Sequence, residues 1–246
     1  MDIRVIGFLL LTLFAEIVGT VGGFGSSVFF VPIANFYFDF NTVLGMTALF
    51  HIGSNLSKIA MFRKGMDKKL LLWLGLPSVL FVILGGWLSS ILNTEYLKFG
   101  LASFIVLFSL FFLLFEEVQI KAGKIQAIIG GTSSGFLAGL VGTGGAVRGL
   151  TMAAFNLEKS TFVATSAGID LAVDLSRGGV YFLNGYFTKQ VLMYVPVLLI
   201  IGWVGTWIGR KMLKKISQKS FKRISLGLIL IVGVVMMYPY FSRAFF

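Results

Sequence analysis

Apolar segments close to the length of a bilayer crossing follow one another along the whole 246-residue chain. They fall at 3–20, 26–38, 42–62, 70–92, 97–115, 125–141, 145–156, 161–183, 190–209 and 223–240. No polar block between them is long enough to bury a core of its own. A helix rises 1.5 Å per residue, so about 20 apolar residues cross the hydrocarbon, with every backbone bond made inside the segment. Charged residues make up 13% of the chain, against roughly 25% in a soluble domain. The chain therefore reads as an all-α polytopic membrane protein. The first segment ends in a glycine motif that recurs later rather than in a small-residue cleavage site, so it is read as mature protein.

Two pairs of segments are hardly separated at all. Gly22, Gly23, Phe24, Gly25, Ser26 and Ser27 lie between the first and second, and Gly142, Thr143, Gly144 and Gly145 between the sixth and seventh. Each pair has a member too short to span. Glycine costs a helix about 1 kcal/mol relative to alanine, so these positions predict breaks. Within a membrane, broken backbone is tolerated where it is buried in protein or lines a polar cavity.

The two breaks are related. Adding 120 carries Gly19, Gly22 and Gly25 onto Gly139, Gly142 and Gly145, Phe62 and Gly65 onto Phe182 and Gly185, and Gly85 and Trp87 onto Gly205 and Trp207. One constant shift held over such a length predicts two repeats, 1–116 and 117–246. Each is a broken-helix hairpin followed by three transmembrane helices, giving about 8–10 segments depending on how the hairpins are counted. Basic residues set the orientation. The clusters Arg63, Lys64, Lys68, Lys69 and Arg210, Lys211, Lys214, Lys215, Lys219, Lys222, Arg223 are expected inside. Arg4, Lys98, Lys189 and Arg243 fall outside. Both termini then lie outside, and the repeats have inverted topology.

Broken helices in inverted repeats are the architecture of secondary transporters, in which half-helix N-termini face the anionic part of a substrate. The second member of each hairpin starts at the glycines, so its free N–H groups and dipole point at the break. Ser26, Ser27 and Thr143 add hydroxyls, and Arg148, one turn into the second copy's short helix, could hold an oxyanion bidentately. The competing reading is close helix packing, for which Gly19-x-x-x-Gly23 and Gly145-x-x-x-Gly149 are suited.

Further ionisable residues sit at membrane depth. Asp170, Asp174 and Arg177 share one face of segment 161–183. They form either a self-neutralising network, Asp174 to Arg177, or a site where an aspartate binds a coupling proton or cation while Arg177 faces the substrate. His51, Ser54, Asn55 and Lys58 make a similar stripe on segment 42–62, and Ser54 maps onto Asp174. His51, the single histidine, is either a proton sensor or a hydrogen-bonded structural residue. Glu16 lies near the first break and reads as close to the outer interface. Phe-rich segments are lipid-facing packing. Trp73, Trp87, Trp203 and Trp207 fit interface belts or helix packing, and Glu116 and Glu117 are loop residues.

Several classes drop out. Zero cysteines excludes disulfides and thiolate metal sites. Neither glycine motif has Gly-x-Gly-x-x-Gly spacing, and no Gly-Lys-Ser/Thr follows. The net charge of +11 sits in short loops, where topology and anionic headgroups account for it, so no nucleic acid is expected.

With these residues assembled, the chain resembles the sulfite exporter TauE/SafE family over essentially its whole length. The resemblance rests on Gly19-Thr20-Val21-Gly22-Gly23-Phe24-Gly25 with Pro32, and on Gly139-Leu140-Val141-Gly142-Thr143-Gly144-Gly145. Gly45-Met46-Thr47-Ala48 and Ala164-Thr165-Ser166 follow them. The second copy departs from the first in lacking the proline, carrying Arg148–Met152 instead, and placing Asp170, Asp174 and Arg177 after the Thr-Ser element. The resemblance implies transport of small sulfur-containing anions, sulfite or organosulfonates, across a bacterial inner membrane.

The expectation is thus a secondary transporter working by alternating access. Gly22, Gly23, Gly25, Ser26, Gly142, Thr143, Gly144, Gly145, Arg148, Asn55, Lys58 and Arg177 would bind the anion, and Asp170, Asp174 or His51 would couple protons. An anion channel of the same fold is the alternative. An intramembrane enzyme is disfavoured, since no cysteine nucleophile or His-Glu-x-x-His pair exists. The expected partners are a small anion and the bilayer, with a homodimer open; no cofactor or metal is called for.

Overall fold

The computed structural model describes residues 3–62, 65–91, 95–115 and 120–245. Expectations for Arg63, Lys64, Glu116 and Glu117 concern positions outside this range. Every regular element among the described residues is helical. In chain order they are α1 (Ile3–Gly22), α2 (Ser27–Asn35), α3 (Phe40–Phe62), α4 (Lys68–Leu88) and α5 (Glu95–Leu114). Then come α6 (Lys124–Val141), α7 (Gly145–Ala154), α8 (Lys159–Leu183), α9 (Lys189–Lys214) and α10 (Gln218–Phe245). They match the ten apolar segments one for one.

Local chemistry fixes several of these helices. Asp67 caps α4 by accepting from the N–H groups of Lys69 and Leu70, and Thr188 caps α9 through Val191. α4 widens into a π-helical turn over Leu71–Gly75. Pro77 follows two residues later; it has no N–H to return to the preceding turn and its ring crowds that carbonyl, so the helix relieves the clash by widening.

Polarity sorts the helices into layers. α1, α4, α9 and residues Gln218–Tyr238 of α10 are long and apolar enough to cross a membrane. Phe14, Leu80, Trp87, Leu107, Trp203 and Trp207 stand exposed on the outer surfaces, where lipid would cover them. α3 and α8, at 23 and 25 residues, carry the buried Lys58, Asp174 and Arg177 and pack on each other at the centre. They run antiparallel. Gly45 at the start of α3 lies against the Tyr186 carbonyl just past α8, and Gly65 just past α3 lies against Ser160 at the start of α8.

Around this pair, α1 packs on α9 and α6 on α4. Both contacts are backbone-close because glycine supplies the surface. Gly131, Gly135 and Gly139 of α6 face the carbonyls of Leu74, Ser78 and Val82 of α4, while Gly205 and Gly209 of α9 receive Glu16 and Thr20 of α1. The two ends of each hairpin meet. Arg4, Val5 and Phe8 line one opening with Phe36, Tyr37 and Phe38, and the Ile120 N–H bonds the Ala154 carbonyl at 2.9 Å.

Candidate functional site

Both helix breaks are where the glycines predict them, and both are buried. Gly142 ends α6 with φ +81, and Gly23 and Gly25 follow α1 with φ +83 and +92. These are left-handed conformations that an L side chain resists at a cost of about 1–2 kcal/mol. Gly145 and Gly149 serve the packing role. A Cβ on Gly145 would meet the Phe24 carbonyl oxygen at 2.5 Å, and one on Gly149 would meet the Phe24 Cβ at 2.5 Å. The two breaks therefore touch: the second is pressed against the first.

Arg148 binds them together. Its side chain is 1% exposed. Nε donates to the Ser166 hydroxyl at 3.0 Å, and one terminal nitrogen donates to the Phe24 carbonyl at 2.9 Å and to the Asp170 carboxylate. The guanidinium thus joins α7, α8 and the first break. It faces the glycines as the sequence suggests, with a carboxylate already on it. Asp170 is the most accessible member of this cluster, at 15%.

Arg177 pairs with Asp174 three residues earlier, the intrahelical pairing its spacing allows. It also donates to the carbonyls of Gly142 at 2.8 Å and Ala138 at 3.2 Å, while the Tyr181 hydroxyl donates to that of Gly139 at 2.6 Å. These are carbonyls at the end of α6, which a helix C-terminus leaves without intrahelical donors. Asn55 of α3 donates to Asp174 at 2.7 Å, joining the two polar stripes.

The third pair was not anticipated. Glu16, fully buried, is bonded to Lys58 at 2.7 Å. The same carboxylate oxygen accepts from Ser54 at 2.7 Å, Thr206 at 3.0 Å and Thr20 at 3.2 Å. The other oxygen lies against the Ser26 hydroxyl. Ser26 also meets Nε2 of His51 at 2.9 Å, and Nδ1 of His51 meets the Thr47 carbonyl at 2.7 Å. Lys58 completes the knot by donating to Ser54 at 2.6 Å. The sequence did carry a signal. Thr12, Glu16 and Thr20 recur every fourth residue in a helix that is otherwise apolar beyond Arg4, which puts them on one face. Glu16 is also fewer than two turns before the break, hence at the depth of the break rather than at an interface.

Among the described residues the core therefore holds three cations and three carboxylates as three pairs, Glu16–Lys58, Asp170–Arg148 and Asp174–Arg177. Three buried polar atoms around it have no protein partner: the Thr143 hydroxyl, Nε of Arg177 and the side-chain oxygen of Asn55. Two of these, Thr143 Oγ1 and Arg177 Nε, can donate, and a buried donor left unbonded costs about 1–3 kcal/mol. Outside the core, an opening of about 510 Å³ is lined by Phe62, Lys159, Arg210 and Lys214 among others. A second, of about 250 Å³, lies at the opposite end beside Arg4 and Tyr37. No group of three or more metal-ligating side chains occurs among the described residues.

The sequence profile of the sulfite exporter TauE/SafE family matches residues 8–236. A probable membrane transporter protein of Methanocaldococcus jannaschii is 26% identical, over 90% of this chain and 91% of its own length. The chain belongs to the sulfite exporter TauE/SafE family. It is a multi-pass membrane protein of a transporter family.

Proposed function

We propose that this family member is a secondary transporter for a small sulfur-containing oxyanion of the sulfite or organosulfonate class. The observation that carries the reading is the pair of unsatisfied buried donors, Thr143 Oγ1 and Arg177 Nε, beside a break whose glycines free backbone N–H groups. In this reading the anion sits between the breaks. It is held by N–H groups around Gly22, Gly23, Gly25, Gly142, Gly144 and Gly145, by the hydroxyls of Ser26 and Thr143, and by Arg148 and Arg177. Asn55 and Lys58 close its α3 side. Asp170 is the carboxylate that the substrate displaces from Arg148: both are oxyanions that fit one guanidinium edge.

Alternating access would come from two inverted repeats, 1–116 and 117–246, rocking about that site. The packing supports such a reading. The contact of α1 with α9 has its counterpart in α6 with α4, that of α3 with α9 in α8 with α4, and that of α2 with α3 in α7 with α8. Repeat mates α3 and α8 run antiparallel, as inversion requires. Lys68, Lys159, Lys214 and Lys219 mark helix ends expected on the cytoplasmic side of a bacterial inner membrane, which leaves both termini outside.

The test is flux in vesicles reconstituted with purified protein. Saturable uptake of sulfite or a short alkanesulfonate, abolished in Arg148→Ala, is the expected result. A sustained voltage-driven anion current without saturation would instead select a channel, and no movement of any sulfur oxyanion would remove the proposal.

A further inference from the structure

For both contacts of the Ser26 hydroxyl to be hydrogen bonds, the Glu16–Ser26–His51 chain must hold one proton more than a carboxylate and a neutral imidazole supply. The Thr47 carbonyl can only accept, so Nδ1 of His51, 2.7 Å away, carries a hydrogen. The Ser26 hydroxyl has a single hydrogen but stands within bonding distance of two groups, Oε2 of Glu16 and Nε2 of His51. If Ser26 donates to Glu16, Nε2 must donate to Ser26, and the pair is carboxylate and imidazolium. If Ser26 donates to Nε2, Glu16 must donate to Ser26, and the pair is carboxylic acid and neutral imidazole. Shifting two hydrogens through the serine oxygen interconverts the two, with no atom gained or lost. Removing the extra proton leaves two lone pairs facing each other on one side of Ser26, and that contact must open.

Resting on the transporter reading above, we propose that Glu16, Ser26 and His51 form the proton-binding site that couples the cycle, with one proton carried per monovalent oxyanion. The charges facing this chain are Lys58 on α3, Arg148 on α7 and Arg177 on α8, the last two paired with Asp170 and Asp174; α9 contributes the uncharged Thr206. With His51 neutral and Glu16 ionised, these groups sum to zero as three ion pairs. The relay proton takes the empty core to plus one and an entering monovalent anion restores neutrality, which a low-dielectric interior strongly favours, so proton and anion stabilise each other there. Ser26 directly precedes α2 and its carbonyl accepts from Phe29 and Phe30 in the first turn of that helix. The contact that opens on deprotonation is therefore one that positions the short helix of the first break.

His51 is the only histidine, so protein labelled with ¹⁵N-histidine reports this ring alone. In micelles without added anion, a pH titration should show Nδ1 protonated throughout. Nε2 and the carboxylic acid band that Glu16→Gln removes in difference infrared spectra should respond together, with one shared midpoint. Separate midpoints, or an Nδ1 without hydrogen, would overturn the relay whether or not the protein transports anything. At a pH above the shared midpoint, adding methanesulfonate should return the proton to the relay, and vesicles should take up one proton per sulfonate. Saturable sulfonate flux with no accompanying proton would overturn the coupling while leaving the transporter reading intact. Absence of flux together with a shared midpoint would remove the transporter reading, and the coupling that rests on it, but not the proton site.

Discussion

Glu16 of α1 and Lys58 of α3 form an ion pair at 2.7 Å with both side chains almost wholly removed from solvent. Taking away one partner of a buried pair costs more than the pair itself contributes, because the survivor keeps its desolvation penalty. Lys58→Met should therefore lower unfolding stability in detergent by about 3 kcal/mol, the low end for a buried pair since Ser54, Thr206 and Thr20 still bond the carboxylate. The double variant Glu16→Gln, Lys58→Met should recover most of that loss. If the two losses instead add, the residues are not coupled.

The glycines at the breaks separate two physical roles that the sequence left merged. Gly145→Ala places a methyl group on the Phe24 carbonyl and should cost about 1–3 kcal/mol through overpacking. Gly142→Ala forces φ +81 on an L residue, at about 1–2 kcal/mol. Gly179 in α8 has nothing within 4 Å of a built Cβ, so Gly179→Ala should stabilise by about 0.5–1 kcal/mol. Denaturant unfolding of the three variants orders them; equal effects at Gly145 and Gly179 would deny the contact between breaks.

Much of the architecture was legible in the sequence, because a bilayer makes element length and polarity nearly the same thing. Segment 42–62 became α3 and 145–156 became α7 almost unchanged. The breaks were legible because glycine alone tolerates their backbone. What could not be read was which faces meet. Arg148 finds Asp170 across two helices, and Glu16 finds Lys58, Ser54 and Thr206 on two others, through the glycine surface of α9. Spacing along one helix gives a stripe, as with Asp174 and Arg177, but says nothing about the stripe opposite. Glu16 reads from the sequence as close to the outer interface, whereas its partners on α3 and α9 hold it in the buried core.

Asp39 opens α3, accepting from the Thr42 N–H at 3.1 Å, and the Thr42 hydroxyl and N–H hold its carboxyl below its ordinary 3.8. A carboxyl whose folded value is depressed contributes stability above its unfolded value and loses it as pH falls through the folded one. Asn also caps helices, so Asp39→Asn removes the titration and keeps the cap. Stability followed from pH 5 down to below about 3.8 should fall less steeply in the variant; identical slopes would show that Asp39 does not contribute.

Thr143 holds a buried hydroxyl with no protein partner. If it waits for substrate, Thr143→Val removes no bond from the empty protein and should leave its melting temperature unchanged or slightly higher. Affinity for sulfite or methanesulfonate, read from the ligand-induced rise in melting temperature, should drop about threefold to tenfold, the worth of one hydrogen bond. A loss of stability without ligand, with affinity retained, would make the hydroxyl structural.

Asp170 and Arg148 allow the sharpest test of how the anion is held. Asp170 occupies the guanidinium edge an oxyanion would need, and it is the most accessible carboxylate of the three pairs. Asp170→Asn keeps the shape and a weaker hydrogen bond while removing the competing charge. Affinity for a sulfonate should then rise about tenfold, the scale of one charge-assisted bond. Turnover should fall in the same variant, because nothing remains to displace the anion from Arg148 and release becomes slow. Arg148→Lys keeps the charge but loses the fork that spans Ser166, Phe24 and Asp170, so it should bind weakly and turn over poorly. Tight binding with slow flux in Asp170→Asn would identify carboxylate exchange as the step that empties the site. Weaker binding there would mean that Asp170 helps to hold the substrate and does not compete with it.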